Sequence, residues 1–299
     1  MLSSPAKTTR TRIEVRGIVQ GVGFRPFAYR LASELALDGW VRNDGAGVTI
    51  EVQGDPGHVA RMAQRLAEDA PPLARIDSIA VRACTLRDEH GFAVIASDGG
   101  PATTVIGPDS AVCADCLTEL FDPTDRRFRY AFINCTSCGP RYTITRALPY
   151  DRAMTSMAPF MQCAACLGEY RAPTHRRFHA EPNACPHCGP RLELLDTTGT
   201  PVGVADPVAA TLARLHRGDI VAIKGLGGFH LACDARNREA VARLRAGKSR
   251  EEKPFAVMVA SGASLPPFAV VTPAEQSLLA SAERPIVLLR KRPLADLCL

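Results

Sequence analysis

The chain has 299 residues, 46% of them apolar and 22% charged, with 36 Lys and Arg against 31 Asp and Glu for a formal charge of +5. That length exceeds one core and suits two or three domains of roughly 100 to 150 residues, while a mild, dispersed positive charge favours anionic ligands only weakly. No apolar run approaches the roughly 20 residues a membrane helix needs, and the opening MLSSPAKTTRTR has neither a secretory apolar stretch nor the apolar face of a transit peptide. It reads as a short disordered lead-in, with no membrane partner expected.

Alternation at Ile13, Val15 and Val19 predicts a first strand. Phe27, Leu31 and Leu35 then form one helical face, behind a Pro26 suited to a first turn. WVRNDGAGVTIEVQG reads as two strands around an Asp44-Gly45 turn, and Val59, Met62 and Leu66 mark a second helix. ARIDSIAVRACTL and GFAVIAS supply closing strands. The order is the ferredoxin-like split βαβ, βαββαβ, over residues 10–98.

From residue 111 to 195 two segments match at an offset of fifty: CADCLTELFDPTDRRFRYAFINCTSCGPR and CAACLGEYRAPTHRRFHAEPNACPHCGPR. This is an internal duplication. Eight of the 11 cysteines fall here as C-x2-C-x18-C-x2-C, Cys113, Cys116, Cys135 and Cys138 and then Cys163, Cys166, Cys185 and Cys188. Four thiolates in two knuckles suit tetrahedral Zn²⁺, so two structural zinc sites are expected, and the compartment is read as reducing and cytoplasmic. A closed four-sulfur shell leaves no position for substrate. The redox use of C-x-x-C needs a thioredoxin-like βαβ setting, which this segment lacks. Local pairing within each repeat and crossed pairing both fit the spacing, the duplication favouring the local one. His175, His179 and His187 read as surface or packing residues.

Residues 200–299 turn to α/β. Asp206-Pro207 opens a helix with Val208, Leu212 and Leu215 on one face, ended by Gly218 before the strand IVAIK. PFAVMVA and PIVLLRK read as further strands, and Thr272 to Glu275 has capping-box spacing. The chain ends just after a strand, so this third domain is expected to be incomplete. AGKS at 246–249 is not a Walker loop, because Ala242 stands where the glycine is required. KGLGGFH after a strand reads as a phosphate approach or a tight βα turn. Lys224, Lys248, Arg250 and Lys253 gather around the strands IVAIK and PFAVM as a candidate anion-binding set, a solvated charged face being the other reading.

GIVQGVGFRPF places glycines and an arginine where the first strand becomes a helix. The backbone N–H groups from Gln20 through Gly21, Val22, Gly23 and Phe24 to Arg25 can converge on an anion at the positive helix end, and Arg25 adds a fork of donors. With WVRNDGAGV following, the segment resembles the acylphosphatases. That resemblance implies that Arg25 binds the phosphoryl group and Asn43 positions the attacking water. AIKGLGGFHLACDA with KSREEKPFAVM resembles the YrdC-like nucleotide-binding domain, which implies phosphate and carbamoyl contacts for the basic set and ATP, with Mg²⁺, as substrate; a basic residue is expected where Gly247 stands.

The order of acylphosphatase-like domain, paired zinc modules and YrdC-like domain resembles the HypF carbamoyltransferases of nickel–iron hydrogenase maturation across essentially the whole chain. The resemblance implies an α+β multidomain enzyme. In that family carbamoyl phosphate is hydrolysed to carbamate, the carbamate is joined to AMP from ATP, and the carbamoyl group passes to the C-terminal cysteine of a HypE-type partner, where it becomes the cyanide ligand of the hydrogenase iron. No segment matches the family's C-terminal transfer domain, so the steps before transfer are those expected here. The competing classes are a zinc-dependent RNA binder or protein-interaction module with a vestigial acylphosphatase domain; 6% aromatics and no stacking motif speak against nucleic acid.

Overall fold

The computed structural model describes residues 8–99, 103–249 and 252–293. Residues 1–190 form one compact unit and residues 191–299 a second. Among the described residues no helix is long and apolar enough to cross a membrane.

The first unit opens with β1 (Thr9–Ile18), α1 (Phe24–Glu34), β2 (Asp38–Asp44), β3 (Gly47–Gly54), α2 (Pro56–Glu68), β4 (Arg75–Cys84) and β5 (Phe92–Val94). The sheet order is β4-β1-β3-β2-β5, antiparallel except that β5 pairs parallel with β2. This is the ferredoxin-like βαββαβ arrangement with a short extra edge strand. β1 begins at Thr9, within the stretch read as a disordered lead-in, and Arg10 there is fully buried against Glu51. The hairpin turn is Gly45–Ala46, one residue later than expected, because Asp44 stays in the ladder opposite Gly47 and its carboxylate accepts the N–H groups of Ala46 and Gly47.

Strand alternation sends Ile13, Val15, Val41, Val48, Ile50 and Val52 inward, where Leu31 of α1 and Met62 and Leu66 of α2 cover them. Asp55 caps α2 by accepting from Gly57 N and His58 N, with Pro56 at the first position. At roughly 1.5–3 kcal/mol per buried large apolar side chain, this sixteen-residue core dominates the stability of the sheet.

The two cysteine modules carry short helices, α3 (Ala114–Phe121) and α4 (Ala164–Arg171), and otherwise irregular backbone around a smaller core of Tyr130, Ile133, Ile144 and Met157. In each, the first cysteine is the helix N-cap and the second lies in the first turn, which puts both sulfurs at the positive end of the helix.

The second unit holds α5 (Pro207–His216), β6 (Val221–Lys224), β7 (Phe229–Ala232), α6 (Arg238–Gly247), β8 (Ala269–Val270), α7 (Pro273–Ala280) and β9 (Arg290–Lys291). The Asp206 cap and the Thr272/Glu275 capping box are both present. Three expectations change. Residues 254–260 form no strand, and of 285–291 only Arg290–Lys291 pairs, with β8. Apolar, β-prone runs make strands only against a partner edge, and here Met258, Ile286 and Leu288 are 96%, 81% and 84% exposed. KGLGGFH is a β-hairpin loop, not a βα turn: Lys224 pairs Phe229 and Gly225 N donates to Gly228 O at 2.7 Å.

Candidate active site and metal centres

The eight module cysteines form two groups, Cys113, Cys116, Cys135 and Cys138, and Cys163, Cys166, Cys185 and Cys188, with all sulfurs of a group within 4.8 Å of one another. Pairing is therefore local. Neighbouring sulfurs lie 3.5–3.7 Å apart in the first group and 3.6–3.8 Å in the second. Tetrahedral metal–sulfur bonds of about 2.3 Å put sulfurs about 3.8 Å apart, so both groups fit a zinc-sized ion with no open position.

The modules clasp each other through the repeated Arg-Arg pair. Arg126 and Arg127 of the first reach Cys166 Sγ, at 3.3–3.6 Å, and Glu169 in the second. Arg176 of the second reaches Cys116 Sγ at 3.2 Å, and both Arg176 and Arg177 pair with Glu119 in the first. Arg127 Nε donates to Ala184 O at 2.9 Å and Arg177 Nε to Asn134 O at 3.0 Å, positions again fifty apart. The pull of the two arginines outweighs burial and holds the Glu169 carboxyl down at about 2.

At the glycine loop, Gly21 and Gly23 adopt φ of 73° and 77°, a left-handed conformation that side chains rarely take. Among the described residues no acceptor takes the N–H groups of Gly21, Val22 and Gly23. Gly21, Gly23, Phe24, Arg25 and Asn43 line one cavity of about 20 Å³, room for about one water molecule. The side chain of Val22 is buried in the sheet core. Gln20 is turned aside: its Nε2 donates to Asp44 O and Gly47 O at 2.7 Å, and its Oε1 accepts Tyr150 N at 2.9 Å, tying the β2–β3 turn to the modules.

The roof of this cavity over Arg25 and Asn43 comes from the second cysteine module and the segment between the two modules. Arg25 donates to Asp151 Oδ1 and Glu181 Oε1, both at 2.7 Å, and to Tyr150 O at 3.1 Å. Burial opposes the Arg25 charge, but Glu181 and then Asp151 outweigh it and hold the guanidinium's pKa above its ordinary value. Burial likewise pushes the Glu181 carboxyl up against the pull of Arg25. Asn43 Nδ2 donates to Tyr150 O at 3.1 Å, and its buried Oδ1 has no partner. Tyr170 donates to both Glu181 oxygens, at 3.1–3.2 Å, and lies 3.2 Å from His179 Nδ1. Burial, reinforced by Arg25, pushes His179 down to about 4, so the ring is neutral.

Of the three histidines read as surface or packing residues, His179 packs against Tyr170 and Phe178 and lines the cavity, His187 is exposed, and His175 Nδ1 accepts Arg177 N. Tyr150, Asp151 and Glu181 are not among the sequence-predicted site residues, and Arg141, known only as the end of the repeated Gly-Pro-Arg, donates to Gly21 O and to four carbonyls of residues 135–140.

In the second unit the basic set is not drawn together by any contact among the described residues. The Lys224 ammonium lies 4.9 Å over the Phe229 ring, Lys248 caps the end of α6, and Lys253 offers its carbonyl to Arg245 at 3.1 Å. Arg250 lies outside the described residues.

Comparison with known proteins matches three family models in chain order: Acylphosphatase over residues 11–94, HypF finger over 112–145 and 162–195, and Telomere recombination, the Sua5/YciO/YrdC model, over 213–298. Carbamoyltransferase HypF2 of Cupriavidus necator is 65% identical over 293 residues, 97% of this chain and 36% of that one. An acylphosphatase of Caldivirga maquilingensis is 46% identical over 88 residues, 92% of its length. Among solved structures, full-length HypF in its phosphate- and nucleotide-bound form superposes with a TM-score of 0.91 at 43% identity, over 97% of this chain and 38% of that one. The chain spans just over a third of the length of the HypF relatives it matches.

Proposed function

Since this chain belongs to the HypF carbamoyltransferase family, we propose that it hydrolyses carbamoyl phosphate in its first domain and carries the nucleotide-binding part that joins the resulting carbamate to AMP. The observation that carries the first step is that Arg25 and Asn43 line one buried cavity over the glycine loop. Arg25 and the free loop N–H groups hold the phosphoryl oxygens, and the Tyr150 carbonyl turns the Asn43 amide so that Oδ1 accepts a hydrogen bond from the attacking water. Water oxygen bonds to phosphorus as the bond to the carbamoyl oxygen breaks; the electron pair leaves with carbamate, and of the two water protons one stays on the new phosphate hydroxyl and the other goes to solvent.

The domains proposed are 10–98, 111–195 and 200–299, the two four-cysteine sites hold Zn²⁺ in a structural role, and ATP enters with Mg²⁺ at a site that uses Lys224, Lys248, Arg250 and Lys253. The phosphate and nucleotide named for the solved relative support both substrate classes. Carbamate decomposes quickly in water, so making and using it inside one protein limits its loss. The carbamoyl group is destined for the C-terminal cysteine of a HypE-type partner, and the setting is cytoplasmic. The test is phosphate release from carbamoyl phosphate, followed by carbamoyl-phosphate-dependent pyrophosphate release from ATP. A folded, zinc-loaded chain that releases neither product returns the field to the interaction-module readings.

A further inference from the structure

The duplication separates residues that build a module from residues that do something more. The cysteines, the Arg-Arg-Phe run and the Gly-Pro-Arg ends are the same in both copies, but Leu120, Arg129 and Ala131 of the first stand where the second has Tyr170, His179 and Glu181. These three second-copy residues form one hydrogen-bonded chain, and that chain ends on Arg25: His179 to Tyr170, Tyr170 to Glu181 and Glu181 to the guanidinium. Metal binding needs none of them, since the first copy assembles the same four-sulfur group without them.

What this roof offers is acceptors. Glu181, Asp151 and the Tyr150 carbonyl all face Arg25, and the Tyr150 carbonyl also faces Asn43. Glu181 Oε2 keeps the Arg152 N–H at 2.9 Å, but Oε1 relies on Arg25 at 2.7 Å with only Tyr170 beside it at 3.2 Å. A phosphoryl group takes the guanidinium fork when it binds, and Oε1 then has room for another donor, because a buried acceptor short of a partner is costly. An acyl group that carries an amino group brings two N–H donors to that place; one that ends in a methyl brings none.

We propose that the second zinc module forms the acyl-group side of the first domain's site, with Glu181, held by Tyr170, as the residue that accepts the amino N–H of carbamoyl phosphate and so sets its selectivity over acyl phosphates without one. The inference rests on the carbamoyl phosphate reading above and adds the residue that distinguishes that substrate.

The experiment compares kcat/KM for phosphate release from carbamoyl phosphate and from acetyl phosphate, near-isosteric substrates that differ by amino against methyl. It uses the full zinc-loaded chain, Glu181→Leu, Glu181→Gln and Tyr170→Phe. The parent prefers carbamoyl phosphate. Glu181→Leu lowers the ratio of the two constants by about tenfold to a hundredfold, Glu181→Gln, which keeps one acceptor, lowers it less, and Tyr170→Phe lowers it too. General damage to the site lowers both constants together and leaves their ratio alone; should the Leu variant not fold, the ratio in the other two decides. A parent preference that survives unchanged in all folded variants overturns the inference and leaves the hydrolase reading intact. A parent that hydrolyses both substrates equally does the same, and a parent that hydrolyses neither overturns the reading and the inference with it.

Discussion

Arg176 holds the Sγ of Cys116 at 3.2 Å across the boundary between the two cysteine modules, and fifty residues earlier Arg126 holds Cys166 at 3.3 Å in the opposite direction. A divalent ion with four thiolates carries a net charge of −2, so each module's metal group is partly neutralised by its twin. Removing such an outer donor typically costs tenfold to a hundredfold in metal affinity. Arg176→Ala should therefore weaken the ion held by Cys113, Cys116, Cys135 and Cys138, although Arg176 belongs to the other copy, and Arg126→Ala should weaken the second. Zinc release to a chromogenic chelator, followed in Cys→Ser variants that leave one site, reads this directly.

Arg25→Lys should keep a positive charge in the cavity but lose the planar fork, and phosphate release from carbamoyl phosphate should fall about a hundredfold or more. Arg25→Ala should fall at least as far and also leave Glu181, 1% exposed, buried without its cation, which costs about 3–5 kcal/mol. Asn43→Ala should lower kcat without that loss of stability. Denaturant melts beside steady-state kinetics separate the two effects.

Glu51 sits fully inside the first domain between Arg10 and Arg12, accepting from each at 2.7–3.0 Å. Burial opposes its charge, but the two arginines prevail and hold its pKa below the ordinary 4.5. A carboxyl lowered on folding contributes stability that is fully present above its unfolded pKa and is lost as the pH falls through the lowered folded value. Glu51→Gln should cost about 3 kcal/mol at pH 7 and flatten the fall in stability below pH 4.5. Urea melts across the acid range check both halves of this expectation.

Stripping the metal should leave the first sheet folded, because its core owes nothing to the cysteines, and should unfold the modules, whose apolar cluster is small. Trypsin after chelation should cut within residues 112–190 and spare 9–94. Without its roof the first domain should also lose any preference for carbamoyl over acetyl phosphate.

Arg25 and Asn43 were legible in the sequence because the loop and the strand that carry them are close along the chain and each has a local signature. The sulfur groups were legible for the same reason, in knuckles three residues apart. The roof was not: Tyr150 and Glu181 meet Arg25 across sequence separations of 125 and 156 residues, and no periodicity announces a contact of that range. The divergence of the second repeat from the first at Tyr170, His179 and Glu181 takes on meaning only once the structure places those residues over Arg25. In the last third the failure ran the other way. Residues 254–260 have every local mark of a strand, but a strand is a property of two segments, and no second one lies beside it among the described residues.

The crossed arginines carry a consequence for how such a protein can change over time. A single finger cut from this chain would take its four cysteines with it but leave behind the cations that temper them, and would keep an arginine pair aimed at nothing. Loss, shuffling or independent drift of one copy is therefore penalised in the other. The pair of fingers is the smallest piece that can be inherited, borrowed or transplanted whole.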